Sequence, residues 1–126
     1  MVLFFGFGTI GVSIFFIHQS KYKSLPEVKV EEVQYLSLHG KEITERDKIE
    51  EFLNYYNQIY EVVNNDGTWN RTSEHMLHLH LKSGAEIIIQ DGGIDFNIDF
   101  RNSEYDKLSY WGKQENIYNM LMYEHY

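Results

Sequence analysis

The sequence predicts an α+β chain: an N-terminal transmembrane helix, then a small domain of one strand, an amphipathic helix, a three- to four-stranded antiparallel meander and a short C-terminal helix. Three observations carry this expectation. Residues Val2 to Ile17 hold no charge. Ile49, Phe52, Leu53, Tyr56, Tyr60 and Val63 recur at three- and four-residue spacing, the period of one helix face. Leu77, Leu79 and Leu81, then Ala85, Ile87 and Ile89, alternate on either side of Lys82-Ser83-Gly84, the period of paired strands. The boundaries that follow are an anchor over 1–20, a tether over 21–27 and a domain over 28–126.

In the apolar run, eleven of the sixteen residues are Val, Leu, Ile or Phe. Each favours insertion by roughly 0.3 to 0.6 kcal/mol near the helix centre. A helix over residues 1–20 would be about 30 Å long, the thickness of the hydrocarbon layer. A cleaved signal peptide calls for a basic leading region and a small-residue cleavage site, and neither precedes Lys21. A buried core helix calls for one apolar stripe, whereas these phenylalanines lie all round the helix. The expectation is a retained single-pass anchor that meets membrane lipid through residues 1–20. Lys21 and Lys23, following the run, favour the cytoplasmic side for the domain and leave its orientation open.

Charge narrows the partners. The chain carries 11 Lys and Arg against 19 Asp and Glu, a formal charge of −8. Its arginines, Arg46, Arg71 and Arg101, are scattered, so no basic stripe exists for a phosphate backbone and nucleic acid is not expected. An acidic domain is repelled by anionic lipid and is expected to stand off the bilayer. With no cysteine there is no disulfide, thiolate nucleophile or zinc-finger site.

Along the domain, the first strand is expected within Val28 to Leu38. Val28 and Val30 alternate and Leu36 and Leu38 alternate, with the charged pair Glu31-Glu32 between them, and a break is expected near that pair. His39-Gly40 is a turn. Thr44 is the expected N-cap of the amphipathic helix, with Asp47 three residues on, and Asn64-Asn65-Asp66-Gly67 is its expected stop. A three-residue loop with Gly84 in the left-handed conformation sets Leu81 opposite Ala85, Leu79 opposite Ile87 and Leu77 opposite Ile89. Asp91-Gly92 is a type I′ signal that sets Ile89 opposite Ile94, Ile87 opposite Phe96 and Ala85 opposite Ile98. A further strand over Lys107–Trp111 brings Leu108 to Ile98 and Tyr110 to Phe96. The last helix is expected over Gln114 to Tyr123, with Ile117 and Leu121 one turn apart.

The second face of this meander carries His78, His80, Glu86, Ile88, Asp95, Asn97, Asp99 and Lys107. His80 falls opposite Glu86, Ile88 opposite Asp95, and Asp99 opposite Lys107. Two histidines at i and i+2 on a strand point to one side and can share a zinc ion, with Glu86 or Asp95 completing the set. The competing reading is a solvated face of polar cross-strand pairs; a pH-responsive histidine patch or a partner surface is also open. Asn70-Arg71-Thr72 fits a glycosylation sequon. No Gly-rich phosphate loop or nucleophile-base-acid arrangement is present, since Gly92-Gly93 is turn chemistry and Ser73-Glu74-His75 are neighbours that do not converge. The abundant tyrosines, with Trp69 and Trp111, suit a thin core or an interface.

Val28-x-Val30, Leu38-His39-Gly40-Lys41-x-Ile43, the helix with Phe52 and Tyr56-Asn57, and Leu81-Lys82-Ser83-Gly84 together resemble the YfmQ-type proteins of bacilli over most of the chain. The resemblance implies a small membrane-anchored bacterial protein and carries over no catalytic residue. The functional expectation is a membrane-anchored, non-enzymatic interaction or accessory domain with a protein partner. The alternative is a metal-binding module, or a metal-dependent enzyme, on the His78/His80 face.

Overall fold

In a computed structural model, residues 22–65, 75–93, 95–104 and 108–123 are described. The apolar run and the glycosylation sequon lie outside them, as do Ile94 and Lys107 with their expected pairings. Among the described residues no helix is long and apolar enough to cross a membrane. The chain is α+β. The described residues hold seven strands, β1 (Val33–Leu38), β2 (Lys41–Ile43), β3 (Tyr60–Asn64), β4 (Met76–Leu81), β5 (Glu86–Asp91), β6 (Phe96–Arg101) and β7 (Ser109–Lys113). They also hold the α-helices α1 (Arg46–Tyr56) and α2 (Glu115–Met122). The strands form one antiparallel sheet in the order β2-β1-β4-β5-β6-β7-β3, wider than the first strand and three- to four-stranded meander expected from the sequence.

The break foreseen at Glu31-Glu32 is a single turn of 3₁₀ helix over Val30–Glu32, so the strand proper starts at Val33. The residues before it do not hang free. Lys23 N–H donates to Val62 O at 2.7 Å, and the Tyr56 hydroxyl donates to Pro26 O at 2.7 Å. Val28 is buried and Leu25 packs on the core. The expected tether is thus docked from Lys23 onward.

His39 (φ 53°) and Gly40 (φ 83°) both take the left-handed conformation. That is the type I′ requirement, and it closes a tight hairpin from β1 into β2 with Leu38 opposite Lys41. Helix α1 begins one residue later than expected. Thr44 is not its cap; Glu45 flanks it in an extended conformation without a side-chain cap bond.

The larger departure is at the other end of this helix. It stops at Tyr56, with Asn57, Gln58 and Ile59 bonded back to Leu53, Tyr55 and Tyr56 carbonyls. Residues expected to continue it form β3. Val62 is buried there, whereas Tyr60, expected on the core stripe, is 54% exposed. Ile59, Val62 and Val63 are β-branched and suit a strand, and the free edge of β7 supplies the hydrogen-bond ladder that decides the matter. Glu61 (φ 51°) bulges this strand, and the register shifts between Tyr60 and Val63.

The β4–β5 hairpin has the expected register: Leu79 opposes Ile87, Leu77 opposes Ile89, and His80 opposes Glu86. Gly84 (φ 94°) occupies the left-handed position of its loop. The next hairpin does not follow a two-residue Asp91-Gly92 turn. Asp91 pairs with Phe96 across a longer loop, Ile89 opposes Ile98, and Ile87 opposes Phe100. Asp91 Oδ1 accepts from Gly93 N–H at 2.9 Å, and Gly92 N–H donates to Asp95 O at 3.1 Å, which holds that loop. The reason is burial: the shorter turn would carry Phe100 past the end of β5, whereas the observed register buries Phe96, Ile98 and Phe100 together. Because the displacement is an even number of residues, side chains keep their expected faces. In β7, Tyr110 opposes Ile98 and Gly112 opposes Phe96, two residues from the expected pairing, and Leu108 is exposed.

Helix α2 lies within the expected span and starts at Glu115, with Gln114 as its N-cap accepting from Ile117 N–H at 2.9 Å. Both helices pack on the same sheet face. Ile49, Phe52, Leu53 and Tyr56 from α1, and Ile117, Met120 and Leu121 from α2, join Leu36, Leu38, Leu77, Leu79, Ile87, Ile89 and Ile98 in one core. Each such side chain is worth about 1.5–3 kcal/mol when fully buried.

Candidate functional site

Two places in the fold gather chemistry. The first is the sheet face away from the helices. The pleat brings His78 and His80 of β4 to that side, with ring centroids 5.4 Å apart. His80 Nδ1 lies 3.2 Å from Glu86 Oε1, and the Tyr35 ring stacks on His80 at 4.1 Å and 22°. His78 sits opposite Ser37 on one side and Ile88 on the other. Its Nε2 is buried without a hydrogen-bond partner. Burial first, and the neighbouring His80 second, push the His78 pKa below the ordinary histidine value; Glu86 works weakly in the opposite sense.

Asp95 does not join this group. The register correction places Asp99, not Asp95, opposite Ile88, and Ser109 opposite Asp99. Asp95 lies in the β5–β6 loop, with Oδ1 3.8 Å from Lys113 Nζ. Of the four residues the sequence offered for a metal, the fold sets His78 beside His80 and His80 beside Glu86, and sends Asp95 to the other end of the sheet. Among the described residues no three His, Asp or Glu side chains are grouped so as to hold a metal ion.

Nor is the face a solvated one. Ile88 is 1% exposed, Asn97 0% and Gln90 7%. The Asn97 amide donates to Ser109 Oγ at 2.9 Å and to Tyr110 O at 3.2 Å.

The second place is a cleft of about 310 Å³ at the end of the sheet where β4 turns into β5. Val28, Leu81, Ala85, Ile87 and Phe100 supply apolar walls, and Glu27, Glu32, Glu86 and Glu104 supply carboxylates. The Lys82 N–H bond to Glu32 O at 2.8 Å ties the hairpin turn to the 3₁₀ turn and fixes one wall. Its size falls at the lower end of the range for small-ligand and side-chain pockets.

No family model, no curated protein and no solved structure matches the chain. The chemistry of these two places therefore carries the functional argument alone.

Sequence reasoning reached the histidine face because a two-residue period reports it directly. It missed the cleft, whose walls come from residues 26–32, the β4–β5 hairpin and the end of β6. The one available signal was the apolar Val28 in a polar stretch, which needed a place to be buried.

Proposed function

We propose that this chain is a membrane-anchored, non-enzymatic interaction domain, held to the bilayer by residues 1–20. The observation that carries the interaction role is the cleft: apolar walls flanked by carboxylates suit an extended segment of a partner protein that presents apolar side chains between lysines or arginines. The overall charge of −8 adds long-range attraction for the same class of partner. A short peptide alternating lysine and leucine is expected to shift the amide signals of Ala85, Ile87 and Phe100, and one alternating glutamate and leucine is not. Ser83→Trp, which fills the cleft mouth, and Glu104→Lys are expected to abolish those shifts. Peptide binding that both variants leave unchanged would overturn the role of the cleft.

A second reading is a zinc-binding module on the His78/His80 face, supported by the contacts of His78 with His80 and of His80 with Glu86. It requires zinc to raise the thermal midpoint of the purified chain and His80→Ala to remove that rise. A midpoint indifferent to zinc sinks it.

A further inference from the structure

The cleft beside Val28 is a narrow slot. Val28 is 5% exposed, Ala85 8%, Ile87 3% and Phe100 5%, although all four line it. At about 310 Å³ it stands at the small end of ligand pockets and takes one side chain rather than several. The gain from an apolar guest scales with the apolar area removed from water on both sides. These walls have almost none left to give, so a leucine or phenylalanine gains little here. What the slot suits is a thin aliphatic stem.

Its rim is charged. Glu27 and Glu32, from the stretch before β1, and Glu104, from the turn after β6, are exposed and line the cleft. Glu86, the fourth carboxylate, lies 3.2 Å from His80 Nδ1 and is engaged there. Arg46 is taken by Glu31 at 3.1 Å and Glu50 at 3.0 Å, and Lys113 by Glu61 at 2.7 Å. Among the described residues no ion pair reaches Glu27, Glu32 or Glu104. Two stretches of chain far apart in sequence thus bring three carboxylates without ion pairs to one apolar slot.

An arginine side chain matches both parts. Its stem lies along apolar surface while its head stays wet. Its guanidinium is a planar, weakly hydrated fork of N–H donors that fits carboxylates two bonds at a time. Lysine has a similar stem but ends in a compact, strongly hydrated ammonium.

We infer that the cleft is an arginine-anchor site: one arginine of the partner segment enters, its stem between Val28, Ala85 and Phe100, its guanidinium held at the rim by Glu27, Glu32 and Glu104. This rests on the reading of the cleft as the partner site and adds which side chain of that segment it selects.

The test uses the full chain in zwitterionic micelles and a short glycine–serine peptide with arginine, lysine, citrulline or leucine at its centre. The arginine peptide is expected to shift the amide signals of Ala85, Ile87 and Phe100 and to bind more tightly than the lysine peptide. Citrulline, which keeps the shape and loses the charge, and leucine are expected to leave those signals in place. Glu27→Gln and Glu104→Gln are each expected to weaken the arginine peptide by about two- to fivefold. Ala85→Leu, which fills the slot, is expected to abolish its shifts. Urea midpoints of the two glutamine variants equal to that of the parent chain confirm that both are folded. Lysine, citrulline or leucine binding as well as arginine overturns the arginine anchor and leaves the cleft reading standing. So does arginine binding that neither glutamine variant weakens, and so do shifts from the lysine–leucine peptide with none from the arginine peptide. If neither of those two peptides moves these amides, the cleft reading itself falls and the anchor falls with it.

Discussion

At position 56, one hydroxyl joins two parts of the chain that lie 30 residues apart. Tyr56 is 2% exposed, and its hydroxyl gives its proton to the Pro26 carbonyl. Proline has no N–H of its own to offer the ladder, so this segment is held by its carbonyls and by Lys23. Replacement by phenylalanine keeps the ring and leaves that carbonyl short of a donor. Tyr56→Phe is expected to cost about 1–3 kcal/mol, read from the urea midpoint. His78 gives a second residue-scale expectation. Its pKa is lower in the folded chain than the unfolded value near 6.5, so the unfolded state binds more protons as the pH falls. The stability this group provides is complete above about pH 6.5 and is lost as the pH drops through the folded value. The thermal midpoint of the native chain should therefore fall more between about pH 7.5 and about pH 5 than that of His78→Gln. Parallel curves for the two proteins would contradict this.

Among the elements, the β5–β6 pair shows how a correct face assignment can coexist with a wrong register. Alternation of Ile87 and Ile89, then of Phe96, Ile98 and Phe100, fixes which side is buried under any even displacement. It does not fix the turn. Asp91-Gly92 is a strong local signal for a two-residue loop, but a local turn preference is outweighed by the burial of Phe100. Nuclear Overhauser contacts across this hairpin should link Ile89 to Ile98 and Ile87 to Phe100; contacts linking Ile87 to Phe96 would restore the shorter turn. The same competition truncates α1. The stripe Ile49, Phe52, Leu53 and Tyr56 was legible because a helix writes its own period, and all four residues are buried. Tyr60 and Val63 continued that period only by coincidence, and the ladder to β7 overrode it. Strand β2, three residues long, left no period to read.

For the molecule as a whole, the notable feature is how residues distant in sequence complete one another. Residues 22–29 close the molecule at both ends of the sheet, through Val62 at the β3 edge and through Val28 beside Leu81, Ala85 and Phe100. A chain beginning at residue 30 is therefore expected to lose a substantial part of its stability, whereas one beginning at residue 22 keeps it. Comparison of their denaturant midpoints and of unfolding cooperativity checks this; equal midpoints would mean that the segment contributes nothing. The lost burial of Val28 alone is worth about 1.5–3 kcal/mol, a large share of the margin of a small domain.

By itself, the sequence determined the α+β class, the leucine and isoleucine faces of the β4–β5 hairpin, the core stripe of α1 and the place of α2. It also determined the charge of −8 and the neighbourhood of His78, His80 and Glu86. These depend on period, caps and turn residues, which are properties of a few adjacent positions. Only the tertiary structure decided that β3 exists, that β6 is paired through Phe100, that Asp95 leaves the histidines, and that a cleft opens beside Val28. Each of these turns on which distant surface is left to be paired or buried, and that is a property of the assembled sheet rather than of any stretch of chain.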